Sequence, residues 1–295
     1  MGFSGFGIFL LYEKSPLCVE ETMPIHLFSN RTSAIAFVLT FLHSLSAVST
    51  IYFLPVYFQG VLGASPSRAG TALLPTILIL IRFAIIAGAT LSKYGRYRPL
   101  HHIGLALMVI GFGLLSLLDL QSSTAEWVIY QCVAAAGAGL VLPVLLPAVQ
   151  ASLTEADTAL STSTWSFVRS FGQIWGATIP AAVFNNRFES LSYRITDPVV
   201  AATLSHGGAY EHATKAFLGT VTDEVTQDQV MSVFADSLRT VWYVSIGFAG
   251  LGFLLVFIEK EIPLRKELET KFGMEEKETP IRVGEPPSEQ AVAQA

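Results

Sequence analysis

Six apolar runs dominate this chain, at 33–58, 68–91, 100–118, 127–151, 160–184 and 240–258. Each is near the roughly 20 residues that a helix needs to cross the hydrocarbon core of a bilayer. In that solvent every backbone N–H and C=O must find a partner within the protein, so runs of this length specify helices. Composition agrees: the chain is 52% hydrophobic and only 14% charged, against roughly 25% charged in an ordinary soluble domain. The expected fold is an all-α polytopic membrane protein, with the lipid bilayer as its first partner. Net charge is −5, with the acids gathered in loops and tail, so no nucleic-acid partner is expected. The two cysteines, Cys18 and Cys132, suit neither a disulfide framework nor a metal site, and no cofactor is expected.

One run is unusual in carrying a charge near its centre. The stretch 160–188 reads LSTSTWSFVRSFGQIWGATIPAAVFNNRF, with Arg169 at depth. A buried charge there costs several kcal/mol by order of magnitude, so such a residue normally faces protein or a wet cavity. Trp165, Arg169 and Gln173 are spaced i, i+4, i+8 and share one helical stripe. Gly172, Gly176 and Pro180 form an adjacent stripe of small residues suited to close helix packing. Two further ionisable groups lie inside runs: Arg82 and His43. No Asp or Glu lies at depth to pair with the arginines. His43 reads either as a core histidine bonded to a neighbouring helix or as a pathway or proton-relay residue. Arg82, among Ile and Phe, reads either as a pathway residue or as a snorkelling one. Tyr52 stands in an aromatic cluster at the end of the first run and joins the pathway candidates.

The segments between runs set organisation and orientation. The apolar piece 1–12 is too short to span and reads as the end of a helix begun further upstream, in a truncated chain. A polar linker at 13–32 follows. The tight basic loop after the second run holds Gly88, Lys93, Gly95, Arg96 and Arg98, which marks that side as cytoplasmic. The linker and the tail at 259–295 then fall on the same side, and the long polar loop at 185–238 on the other. Within that loop, 227–238 reads as an amphipathic helix with Thr226 and Gln229 as its capping box. The tail is glutamate-rich and poor in large apolar residues, so it is expected to be disordered. An enzyme is not expected: His101-His102 has no acid or cysteine beside it in sequence.

Four runs together carry a resemblance. YFLPVYFQGVLGASPSRAGTALLP (52–75), GRYRPL (95–100), YQCVAAAGAGLVLP (130–143) and WSFVRSFGQIWGATIPAAVFNNRF (165–188) resemble the major facilitator superfamily. The nearest type is the fungal fourteen-span drug:proton antiporter. The resemblance implies two six-helix halves plus two linking spans, of which this chain corresponds to the C-terminal half (33–258) and the end of a linking span. It also implies that 88–98 is a degenerate copy of the family's cytoplasmic gating loop, and that Gly172, Gly176 and Pro180 match its glycine- and proline-rich helix. The implied activity is efflux of amphipathic small molecules by proton antiport, at the plasma membrane. The main gating loop and the proton-linked arginine of the N-terminal half are absent here. The partners implied are a small-molecule substrate, a proton and the missing half or a second chain. A siderophore or other solute carrier of the same superfamily, and a non-transporting truncated membrane protein, are the alternatives.

Overall fold

A computed structural model describes residues 23–264, and among these residues there are helices and no strands. The apolar piece at 1–12, most of the linker and the tail beyond 264 lie outside the described residues.

The first span, α1 (Arg31–Val56), begins where the Asn30 side chain accepts the Thr32 amide at 2.8 Å, satisfying one of the free N–H groups of a helix start. Asn30-Arg31-Thr32 also matches a glycosylation sequon, but here the asparagine serves as the cap. A π-helical turn, Tyr57–Val61, carries α1 onward beyond Pro55. The second span is two helices: α2 (Pro66–Ala72) and α3 (Leu74–Tyr94). Both have proline in the first turn, where its missing N–H costs nothing. Gly95 ends α3 in the left-handed conformation, φ 67°, which a residue with a Cβ adopts only at a cost. Then come α4 (Arg98–Leu115) and α5 (Thr124–Val141), the latter started by a Ser123/Glu126 capping box. A 3-10 turn at Pro143 separates α5 from α6 (Leu145–Gln150). The fifth span is α7 (Thr158–Leu191).

The polar segment expected as a loop at 185–238 is mostly helical. Its first residues extend α7, and three short helices follow: α8 (Pro198–Leu204), α9 (Gly208–Glu211) and α10 (Lys215–Leu218). The amphipathic piece and the last span are one continuous helix, α11 (Glu224–Val256) of 33 residues. Its cap is Asp223, which accepts from the Thr226 amide and hydroxyl at 2.8 and 2.6 Å; Gln229 instead accepts from Thr196. The reason for the difference is apolar: Phe184, Phe188, Leu204, Ala209, Leu218, Val230 and Phe234 are buried together, so the segment has a core of its own. That core joins the end of α1, where Phe53 stacks on Tyr210 at 5.1 Å.

Five helical segments are long and apolar enough to cross a membrane: Arg31–Val61, Pro66–Tyr94, Arg98–Leu115, Thr124–Gln150 and Glu224–Val256. With α7, which is long but more polar, they form an integral multi-pass bundle. α7 is the longest of all, 34 residues, but its serines, threonines, Arg169 and Gln173 lower its hydropathy. In the packing order α3 lies on α5, α5 on α4, α4 on α11, and α11 on both α1 and α7, while α1 also packs on α6 and α7.

Backbone-close crossings hold the bundle. A Cβ on Gly111 would lie 2.5 Å from Ala134 of α5, so α4 and α5 touch along their backbones. Without a hydrophobic driving force between helices in lipid, such close packing and inter-helix hydrogen bonds supply the association. Gln131 of α5 is one such tie, accepting from Thr76 at 2.7 Å and donating to the Ala72 carbonyl at 3.1 Å. Outside the spans, Asp157 begins α7. Its carboxyl is held below the usual carboxylate range by the Thr154 hydroxyl and then by His26, 2.8 Å away.

Candidate functional site

α7 sorts its residues between two faces. Gly172, Gly176 and Pro180 are buried, and Gly172 and Gly176 meet the backbone of α1. A Cβ at Gly172 would lie 2.6 Å from the Phe41 carbonyl oxygen, and one at Gly176 would collide with that of Leu45. Trp165 and Arg169 share that side of the helix, Arg169 one turn before Gly172, and Gln173 lies at its edge. The Arg169 guanidinium lies 5.3 Å from the Trp165 ring, a cation–π pair, and both side chains are half-buried. Gln173 is exposed, and so are Phe167 and Ile174 beside it. Arg169 has no carboxylate partner among the described residues.

His43 lies on α1, the helix that packs on α7. It is 4% exposed within α1, and its Nε2 hydrogen-bonds the Ala138 carbonyl of α5 at 3.1 Å. That carbonyl sits beside Gly137 and Gly139, where α5 closely approaches α4 and α3. Arg169 lies within electrostatic range of the imidazole. Arg82 is exposed on α3 and makes no hydrogen bond or ion pair among the described residues. Around it Ile77, Leu78, Ile81, Ile85 and Ile86 are about half-exposed, so α3 presents an apolar face interrupted by one cation. Tyr52 is 49% exposed on α1. The structure therefore brings Trp165 and Arg169 together, places Gln173 one turn on, and leaves Arg82 on another helix that packs on α5 rather than on α7.

The basic loop has a partner that sequence order conceals. Gly88 is half-buried, and Lys93 and Arg96 are exposed, Lys93 lying 5.3 Å over the Tyr94 ring. Arg98 donates to the Val256 and Phe257 carbonyls at 3.4 and 3.2 Å, capping the C-terminal end of α11. Arg31 does the same for Ile258 at 2.7 Å. Tyr97 donates to the Lys260 carbonyl at 2.7 Å and accepts the Ile262 amide at 2.9 Å; burial raises its hydroxyl to about 12. Beneath it His101 Nδ1 and a Glu259 carboxylate oxygen are hydrogen-bonded at 2.9 Å, with both side chains 0% exposed. The residues at 259–264, expected to open a solvated tail, are instead laced to α1 and α4. His101 does have an acid beside it, supplied from 158 residues away, which no local spacing reveals.

The described residues thus form a multi-pass helical bundle that carries an arginine on α7. Residues 14–177 match the family model described as Major Facilitator Superfamily, and the chain belongs to that family. It is 65% identical over 277 residues to "MFS-type transporter gkaD" of Penicillium citrinum, covering 94% of this chain and 47% of that protein. It is 47% identical to "MFS efflux transporter aclA" of Aspergillus oryzae, covering 93% of this chain and 50% of that protein. It is 46% identical to "MFS-type efflux transporter phmH" of Phaeosphaeria nodorum, covering 94% and 48%. The chain thus spans about half the length of the curated relatives it matches.

Proposed function

We propose that this chain forms the C-terminal six-helix half of a fourteen-span efflux transporter for amphipathic small molecules, coupled to proton antiport at the plasma membrane. The observation that carries the reading is the polar stripe of α7. Gln173 and the half-buried Arg169–Trp165 pair stand on α7 at membrane depth, and lipid is a poor neighbour for them. A second helical half facing them across a wet cavity removes that cost. Transporters of this general design hold substrate near mid-membrane between two such halves. Trp165 offers aromatic surface, while Arg169 and Gln173 offer polar anchors, a combination suited to amphipathic organic molecules. Two of the relatives are named efflux transporters, which supports the direction of transport. The siderophore-carrier alternative has no such support.

In this reading the partner is a second helical half, on the same polypeptide or another, and the chain by itself moves nothing. Reconstituted alone into liposomes under an imposed pH gradient, it is expected to accumulate no fluorescent amphipathic dye. Co-reconstituted with the first half of a fourteen-span relative, it is expected to accumulate dye saturably. Gradient-driven, saturable uptake by the chain alone would defeat the two-half reading.

A further inference from the structure

A cavity lies at the end of the bundle opposite the basic loop. It has a volume of about 820 Å³, within the roughly 300–1,000 Å³ range of small-molecule sites. Its walls come from the turn between α1 and α2, from α2, from the turn before α5, and from the start of α10. Phe58 and Trp127 line it and meet edge to face at 5.1 Å, Phe58 being fully buried. Leu62 extends this apolar part. Two cations, Arg68 and Lys215, also line it, and no acidic side chain does. Neither cation makes a side-chain hydrogen bond or ion pair among the described residues.

The nearby acids are occupied elsewhere. Glu126 accepts the Ser123 amide at 2.6 Å in the capping box of α5. Asp119 accepts from the Gln121 amide at 2.8 Å and from the Ser122 hydroxyl at 3.1 Å. Ser122, which lines the cavity, therefore stands in front of that carboxylate. The backbone that carries the cations is fixed as well. Ser65 caps α2 by accepting the Arg68 amide at 3.3 Å, and Thr214 caps α10 by accepting the Phe217 amide at 3.3 Å.

The geometry points to a binding site for an amphipathic organic anion, with rings or acyl chain against Phe58 and Trp127 and an acidic group between Arg68 and Lys215. Arginine suits such a group because its planar fork engages two oxygens at once, and lysine adds a mobile point charge. The aromatic wall supplies apolar area to a ligand that water solvates only at its charged end. The anion has two natural sources, a dissolved organic acid or an anionic lipid headgroup. The inference is independent of the efflux reading, since it concerns binding by this chain and not movement through it.

The purified chain in phosphatidylcholine nanodiscs tests it by equilibrium dialysis against naphthalene-2-sulfonate and the neutral naphthalene-2-sulfonamide. The sulfonate is expected to bind at least about tenfold more tightly than the sulfonamide, each tenfold being about 1.4 kcal/mol. The double variant Arg68→Gln/Lys215→Gln is expected to lose that preference while melting at the parental temperature. The charge-keeping variant Arg68→Lys/Lys215→Arg is expected to retain it. Sulfonate and sulfonamide binding alike to the parent would overturn the site, as would unchanged sulfonate affinity in a folded double variant. Should the double variant fail to fold, parental sulfonate affinity that does not fall with added salt overturns it equally. Adding phosphatidylglycerol to the nanodisc separates the sources. Competition with the sulfonate assigns the site to lipid headgroups, and undiminished binding assigns it to dissolved anions.

Discussion

Arg169 shows how a single residue's neighbours decide its meaning. Its guanidinium is held over Trp165 and finds no carboxylate among the described residues. Removing an unpaired intramembrane charge relieves burial rather than stranding a partner, so stability is expected to hold in Arg169→Gln. If an acid in the other half pairs with it, the same change leaves that acid buried and costs about 3–5 kcal/mol. In a rejoined full-length protein, Arg169→Gln is expected to abolish efflux with the detergent melting temperature near parental. Arg82→Gln, on an exposed and otherwise apolar face, is expected to leave efflux largely intact. Parental efflux in Arg169→Gln would remove this residue from the pathway. Gly176 makes a second residue-scale point. Its neighbour is the carbonyl of Leu45, a backbone atom that cannot rotate away, whereas Gly113 has open space where a Cβ would go. Gly176→Ala is therefore expected to destabilise by about 1–3 kcal/mol, the usual cost of overpacking. Gly113→Ala is expected to be near neutral, and equal melting shifts for the two variants would contradict the close α1–α7 contact.

At the scale of elements, the end of α11 is tied down as firmly as its start is capped. Arg31 and Arg98 satisfy carbonyls of its last turn, which have no intrahelical partners. The His101–Glu259 pair anchors the chain just after it. A buried hydrogen-bonded pair is costly to break from one side only, because the remaining polar group is left unsatisfied, while an apolar replacement of both partners is often neutral. Glu259→Leu is thus expected to lower stability by about 1–3 kcal/mol, the usual cost of leaving a buried polar group unsatisfied. His101→Leu/Glu259→Leu is expected to recover most of that loss. Thermal melts of the single and double variants read the difference, and a double variant as unstable as the single would show that the pair does not act as a unit. The same element explains why α11 reads as two pieces in sequence. Its first half is amphipathic because one side packs on α7 and the turn after α1, and its second half is uniformly apolar because it crosses the bundle.

For the whole molecule, the lacing of Arg31, Tyr97, Arg98 and His101 to 256–262 gathers the N-terminal end of α1, the basic loop and the end of α11 on one side. The α8–α10 segment stands with the opposite ends of the helices. If the basic side is cytoplasmic, as positive charge in short loops predicts, a glycosylation acceptor inserted after Glu211 is expected to be modified. One inserted after Glu285 is expected to remain unmodified. The reverse pattern would invert the orientation.

What the sequence determined by itself was the set of elements. Apolar runs of about 20 residues specify spanning helices whatever their neighbours, because the bilayer leaves the backbone no other way to satisfy its hydrogen bonds. The identity of α1, α3, α4, α5 and α11 as spans followed from that, and the i, i+4 spacing already put Arg169 on one stripe with Trp165. Partnerships were decided only by the tertiary structure. His101 and Glu259 are 158 residues apart, and His43 finds its carbonyl 95 residues away on α5. No periodicity encodes such pairs; they exist because the folded bundle packs α4 beside α11 and α1 beside α5. The segment 185–238 looked like a polar loop for the same reason. Its buried phenylalanines and leucines are scattered among polar residues, and only the folding of α8–α10 onto α7 and α11 gathers them into a core.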